Sequence, residues 1–238
     1  WELGYNVTYN KNEITKLTSG DGKGYYVPTG SISSGTGNTI QAHAVGHPAS
    51  SFYVYQQVYD KKGMPIEGAV VDRNGDGTIT TADKYLYKSP SAPWTAGFTS
   101  KVVWKNWDFS FALRANFDNY VFNDLEAGAS NMATLWAESG YLTNRPKNVI
   151  EKNWKTYDAI LSDYFVQNAS FLKMDNITLG YSFDQLFGTK ISGRVYATAS
   201  NVFTITDYKG IDPEVSYGID NSLYPRPFTA LLGVSLNF

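Results

Sequence analysis

Apolar and polar residues alternate with a period of two along several stretches of the chain, most cleanly from Trp107 to Phe117. Trp107, Phe109, Phe111, Leu113, Ala115 and Phe117 fall on one face, and Asp108, Ser110, Ala112, Arg114 and Asn116 on the other. Successive side chains of an extended chain point to opposite sides, so the pattern predicts a strand with one greasy and one polar face. Phe228 to Phe238 and Trp1 to Asn10 repeat it, and Trp94 to Trp104, Ile177 to Phe183 and Ile191 to Phe203 do so more weakly. A further stretch, Phe52 to Tyr59, is ambiguous because Tyr53, Tyr55 and Tyr59 lie opposite Phe52 and leave aromatics on both faces. The expectation is about seven strands and an all-β, antiparallel fold.

Two architectures alternate in this way. A soluble β-sandwich buries faces rich in Val, Ile and Leu and turns every 8 to 12 residues or so. Here the apolar faces carry Trp, Tyr or Phe near their ends and the opposite faces are small and polar, as in a transmembrane barrel with aromatic girdles and a watery lumen. Connection lengths favour the barrel. Lys105-Asn106 and the turn containing Gly188 are short, whereas 60 to 93, 118 to 170 and 204 to 226 are long, and outer-membrane barrels keep short turns inside and long loops outside. Residues 18 to 50 break this rule, because the strand count places that long Gly/Ser-rich stretch on the short-turn side. About seven strands cannot close a barrel, and unpaired edges in lipid cost several kcal/mol per polar group, so the rest of the wall is expected from elsewhere.

Composition narrows the function classes. Twenty Lys and Arg against 22 Asp and Glu give a net charge of -2, which offers no footprint for nucleic acid. The absence of Cys removes disulfides, thiolate metal sites and thiol nucleophiles. No apolar run reaches the roughly 18 to 20 residues of a membrane helix. The chain opens on Trp1-Glu2-Leu3 with no initiating Met or signal peptide, and is expected to be a piece or processed product of a longer one.

One long connection has the spacing of a calcium loop. Residues 72 to 83 place Asp72, Asn74, Asp76 and Asp83 at positions 1, 3, 5 and 12, Gly77 at the turn, and the Thr78 carbonyl at position 7. Calcium is the expected ligand, held with modest affinity because position 12 is Asp rather than Glu. The alternative is an Asx- and Gly-rich turn without metal. Other constellations are poor. His43 and His47 are four apart, but Gly46 and Pro48 oppose the helix that would align them, and no nucleophile elbow, P-loop or dinucleotide fingerprint occurs. No catalytic residue is assigned and the protein is not expected to be an enzyme. Leu125 to Ala137 and Pro146 to Tyr157 read as short helices in the longest loop. Their Trp136, Trp154 and Tyr157 are weak candidates for stacking on substrate, against the alternative of burying one another.

Several of these segments together resemble the SusC/RagA-type TonB-dependent outer-membrane transporters of Bacteroidetes. The resemblance lies in Val45-Gly46-His47-Pro48 with Ser51-Phe52-Tyr53, Val71-Asp72-Arg73-Asn74-Gly75-Asp76-Gly77-Thr78-Ile79, and Ser170-Phe171-Leu172-Lys173-Met174. It continues through Asn176-Ile177-Thr178-Leu179-Gly180-Tyr181, Ser200-Asn201-Val202-Phe203, Tyr208-Lys209-Gly210-Ile211-Asp212-Pro213-Glu214-Val215 and Tyr224-Pro225-Arg226-Pro227 to the terminal Asn237-Phe238. It implies that residues 1 to 238 are the C-terminal segment of a barrel of about 22 strands, with the plug outside this chain. It implies as partners a SusD-like surface lipoprotein, a TonB complex acting through an N-terminal part, the remainder of the same barrel, outer-membrane lipid, and an oligosaccharide or peptide cargo. Oligosaccharide is the reading preferred, with RagA-like peptide import, a secreted calcium-containing carbohydrate-binding β-sandwich and a surface hydrolase as alternatives. Phe238 resembles a terminal aromatic assembly signal. Asn6, Thr8, Ser110, Arg114, Asn116, Thr178, Arg194 and Thr198 are expected to line the lumen.

Overall fold

The computed structural model describes residues 1–17, 24–35, 37–136, 140–155, 160–185, 188, 190–221 and 224–237. Phe238 and Tyr157 lie outside them. In chain order the strands are β1 (Glu2–Tyr9), β2 (Tyr26–Ser31), β3 (Thr39–Ala44), β4 (Ser51–Val54), β5 (Gln57–Tyr59), β6 (Pro65–Val70), β7 (Tyr85–Leu86), β8 (Trp94–Trp104) and β9 (Trp107–Phe117). There follow β10 (Tyr120–Phe122), the helices α1 (Asp124–Ala129) and α2 (Asn148–Lys152), β11 (Val166–Asn168), β12 (Phe171–Phe183), β13 (Ser192–Thr206) and β14 (Thr229–Asn237). No helix among the described residues is long and apolar enough to cross a membrane.

Six of these strands form one antiparallel sheet in the order β1-β8-β9-β12-β13-β14. This is a curved wall with two free edges. Its greasy face is not packed against a second layer: Tyr5 is 85 % exposed and Leu232 86 %, and Val7, Leu179 and Val234 are also open. That observation excludes the sandwich, whose stripes would be dry. The surface is a side built for hydrocarbon.

Aromatic residues close both ends of that surface. Tyr9, Trp94 and Phe117 are register partners at the long-loop end, and Trp104, Trp107 and Tyr181 at the short-turn end. Trp94 and Trp104 bound an 11-residue strand. At about 3.4 Å per residue and a tilt near 45° the two girdles stand roughly 25 Å apart, the height of the apolar band of an outer-membrane barrel. Inside the band the one strongly polar greasy-face residue of β8, Ser100, accepts a hydrogen bond from the Trp1 indole at 3.1 Å.

Two expectations change in detail. Phe52 to Tyr59 is not a wall strand but divides into β4 and β5, which belong to separate small sheets above the wall. Phe52 and Val54 are fully buried in a protein core, so the alternation is genuine and the medium differs. With that strand removed from the count, residues 10 to 93 are one connection, and the anomaly at 18 to 50 disappears. All three long connections, 10–93, 118–170 and 207–228, leave the same end of the sheet, and both short turns leave the other. Strand β12 also begins six residues earlier than its alternation suggests. A bulge between Met174 and Asn176 shifts the register against both neighbours, throwing the inward-facing phase from odd to even positions.

The long connections fold together into a cap. Sheets β2-β3-β4-β7, β5-β6 and β10-β11 surround a core of Ile32, Ile40, Phe52, Val54, Phe122, Trp154 and Phe165. Two carboxylates of the second connection, buried Asp124 and half-buried Asp163, tie it to the first, and buried Asp220 braces the third from within. Asp124 accepts from Ser33 N and Oγ at 2.6 Å each and from Ser34 Oγ at 2.5 Å. Asp163 accepts from Gln57 N at 3.0 Å and Tyr85 OH at 2.6 Å, and Asp220 from Tyr208 OH at 2.6 Å.

An Arg at mid-depth on the greasy face has no such partners. Leu232→Arg is expected to cost about 2–4 kcal/mol and lower the outer-membrane abundance of the protein, while Thr198→Arg on the polar face leaves abundance near that of the wild type. Equal abundance of the two variants in membrane fractions would overturn the assignment of faces.

Candidate functional site

Ion pairs lie at two levels on the polar face of the wall. Near the short-turn end Arg194 on β13 reaches across β12 to Asp108 on β9, with Nε–Oδ1 at 2.9 Å and NH2–Oδ2 at 2.6 Å. The intervening residue is Gly180, and any Cβ there would run into both side chains, so the glycine is the gap through which the pair forms.

At the long-loop end the wall and cap are joined by a six-residue ionic network. Arg114 on β9 holds Asp175, at the β12 bulge, at 2.5 Å, and Glu214 at 2.9 Å. Lys173 on β12 holds Asp212 at 2.6 Å and Glu214 at 3.2 Å. Arg226 holds Glu214 at 2.7 Å and reaches Asp212 at 3.5 Å. Three cations meet three anions, and two of each sign come from different parts of the fold. At the bulge Asp175 is the extra residue between Lys173 and Asn176, both on the polar face, and its carboxylate reaches back to Arg114. Burial pushes the Glu214 carboxyl up, but hydrogen bonds from Arg114 and Lys173 outweigh it and bring it down to about 2. Lys173 and Asp212 are largely withdrawn from solvent, with side chains 7 % and 11 % exposed. Arg114 stands on the polar face as its alternation predicts, but its meeting with Asp175 and Glu214 has no sign in the alternation. The available signal was Lys173, a charge between Leu172 and Met174 in a strand, which demands a partner.

The other expected lumen residues share this face. Thr178 and Thr198 are register partners with hydroxyls 2.9 Å apart, and Ser110 lies in the same row. Asn6 lies over Gly97, and Asn116 faces Thr95.

In the 72–83 loop Asp72 accepts from Gly75 N at 2.7 Å and Gly77 N at 2.8 Å, Asp76 accepts from Thr78 N at 2.8 Å, and Asn74 Oδ1 from Asp76 N at 2.9 Å. Asp83 is fully buried and accepts from Thr80 N at 2.8 Å, Arg73 N at 2.9 Å and Asn74 N at 3.3 Å. Those amides, Thr80's foremost, hold its carboxyl below the usual range despite burial. Among the described residues no three His, Asp or Glu side chains converge as a metal centre would. The loop is therefore closed by its own backbone, with Asp72 adjoining Asp83.

The aromatic candidates separate. Trp154 is 3 % exposed, donates its indole N–H to the Pro65 carbonyl at 3.1 Å and stacks edge-on to Phe165, so it builds the cap and does not present a ring to substrate. Trp136 is 63 % exposed. His43 sits in β3 and accepts from Ser50 N at 3.0 Å, while His47 lies in the following turn, so the two do not form a metal pair.

No family model matches the chain. It is 52 % identical over 245 residues to the TonB-dependent receptor SusC of Bacteroides thetaiotaomicron, an alignment that covers all of this chain and 24 % of that receptor. It is 26 % identical over its whole length to TonB-dependent receptor P3 of Formosa agariphila, covering 27 % of it. The solved RagAB peptide transporter superposes with a TM-score of 0.72 at 25 % identity, over 99 % of this chain and 27 % of that one. The chain thus spans about a quarter of the length of the relatives it matches.

The network supplies a titratable tie between loop 207–228 and the wall. Glu214's depressed value means that its contribution is complete above the unfolded value of about 4.5 and is lost as pH falls toward about 2. Protease protection of that loop is expected to survive down to pH about 4.5 and fail below. In Lys173→Met, which takes one cation from Glu214 and Asp212, the failure moves to higher pH. An unmoved midpoint would show that the network does not hold the loop.

Proposed function

The chain belongs to the SusC/RagA-type TonB-dependent receptors, and from that premise we propose that it supplies wall strands and the extracellular cap of an importer that carries oligosaccharides across the outer membrane. The observation that carries this reading is the six-stranded wall itself, greasy on one side and lined on the other by hydroxyls, amides and paired charges. A water-filled passage for polar cargo needs that inner surface. In the full receptor a plug and TonB complex would supply the energy, and a SusD-like surface lipoprotein would cover the cap. The relatives are named as receptors and a transporter, in keeping with a protein that moves its cargo unchanged.

Oligosaccharide is preferred because identity to SusC is 52 % against 25 % to the RagAB peptide transporter. The peptide reading is favoured by the superposition on that transporter, at a TM-score of 0.72. Uptake by cells carrying the full receptor, given labelled oligosaccharides and labelled peptides side by side, is expected to follow the sugars and to stop when the receptor is deleted. Uptake of peptides alone would replace this reading with its rival.

We propose further that the 72–83 loop takes a calcium ion. Support comes from the oxygen spacing and from the ionised, buried Asp83 adjoining Asp72. In the arrangement described Asp76 is turned to Thr78 N, so binding requires that side chain to turn inward. Calorimetry on the detergent-solubilised receptor is expected to show calcium binding that is lost in Asp72→Asn/Asp76→Asn. No heat from the wild type would leave the loop as a metal-free turn.

A further inference from the structure

The cap contains a cleft of about 700 Å³ where its second and third connections meet, lined among others by Asp220, Asn148, Lys147, Lys209, Pro146 and Ile211. Its volume lies in the range of small-ligand sites, about 300–1,000 Å³. Two acceptors on this cleft have no hydrogen-bond partner among the described residues. Asp220 is fully buried, and while its Oδ2 takes the Tyr208 hydroxyl, its Oδ1 takes nothing. Asn148 gives its amide N–H to Glu126 and leaves Oδ1 buried and unpaired. A buried acceptor without a donor is costly, and a fold that keeps two of them on one cleft is short of donors there.

The ligand is defined by what the cleft lacks. It must bring donors for Asp220 and Asn148. It must also bear Lys147 and Lys209, both exposed and without an acceptor among the described residues, together with Arg145 on the same cleft. An ammonium group supplies donors but is repelled by the cations. A carboxylate satisfies the cations but supplies no donor. A polyol does both, because each hydroxyl gives one hydrogen and offers two lone pairs. Pro146 and Ile211, the latter 58 % exposed, add an apolar surface for the C–H face of a ring. Burial also holds the Asp220 carboxyl above the ordinary range, as expected of a group waiting for a donor.

We infer that this cleft is a sugar subsite, in which hydroxyls of an oligosaccharide donate to Asp220 Oδ1 and Asn148 Oδ1 and accept from Lys147 and Lys209. The inference rests on the oligosaccharide reading and locates it on the cap, outside the ionic network.

The test is calorimetric titration of the full receptor with linear gluco-, xylo- and fructo-oligosaccharides and, separately, with short peptides. The variants are Lys147→Ala/Lys209→Ala, Asp220→Asn, and a control, Lys61→Ala/Lys62→Ala, in the loop before β6. Loss of two charge-assisted contacts is expected to weaken sugar binding at least about tenfold in the double-lysine variant, with the control unchanged. Asp220→Asn should weaken it too. If that variant fails to reach the membrane, the exposed lysines decide alone. Wild-type sugar affinity in the double-lysine variant would overturn the subsite and leave oligosaccharide import standing. A wild-type receptor that binds peptides and no sugar would overturn both.

Discussion

Hydrocarbon offers no hydrogen bonds, and the wall is the consequence of that one fact. A backbone crossing lipid must pair every N–H and C=O within the protein, which leaves a ladder of strands as the solution where no spanning helix occurs among the described residues. The ladder then fixes everything on its two surfaces. Odd residues of β9 meet tails and even ones meet water, and each row continues through register partners from β8 to β13. Even the exception obeys the rule: Ser100, on the greasy side, is withdrawn from lipid by the Trp1 indole. The open edges of β1 and β14 follow from the same constraint, since a sheet in lipid must go on to further strands until it closes.

Above the girdles the constraint changes, and so does the chemistry. The cap is in water and has a dry core of its own, and its connections are tied by carboxylates accepting several hydrogen bonds at once. Asp124 and Asp163 do between loops what ladder bonds do between strands. This is why aromatic residues mean two things in one chain. Trp94 and Trp107 are exposed girdle residues, while Trp154 fills a core. The ionic network lies at the seam between these regimes, with Arg114, Lys173 and Asp175 from the wall answered by Asp212, Glu214 and Arg226 from the cap. Its six charges cancel, so the seam adds no net charge to the polar side of the wall and leaves a surface already satisfied.

The wall was legible in the sequence where its strands are regular. Trp94 to Trp104 and Trp107 to Phe117 stand in the structure with those same ends, because period-two alternation and side-chain direction are the same statement. It was less legible where geometry departs from regularity. The bulge at Asp175 hid the first half of β12, since one extra residue inverts the phase. Phe52 to Tyr59 was ambiguous, with aromatics on both faces, and nothing in a periodicity says whether a greasy side meets lipid or protein. Loop lengths carried that information. The misfit at 18 to 50 was the sign that one strand too many had been counted. The network could not be read at all, because its members lie up to about a hundred positions apart and meet only through register.

The contrast between the network and the cap cleft bears on where a ligand could be held. A site recognises through groups that lack partners until the ligand arrives, whereas a completed set of partners holds structure in place. Arg114 binds two carboxylates and Glu214 is reached by three cations, so a ligand would have to break existing bonds to use either. Asp220 Oδ1 and Asn148 Oδ1 present the opposite case, acceptors already desolvated and still unused. The desolvation that normally opposes binding has there been met by the fold itself, so a hydroxyl placed against them gains a hydrogen bond without stripping water from its partner. On this argument the charges of the wall hold structure in place, and the groups left open to a ligand lie in the cap.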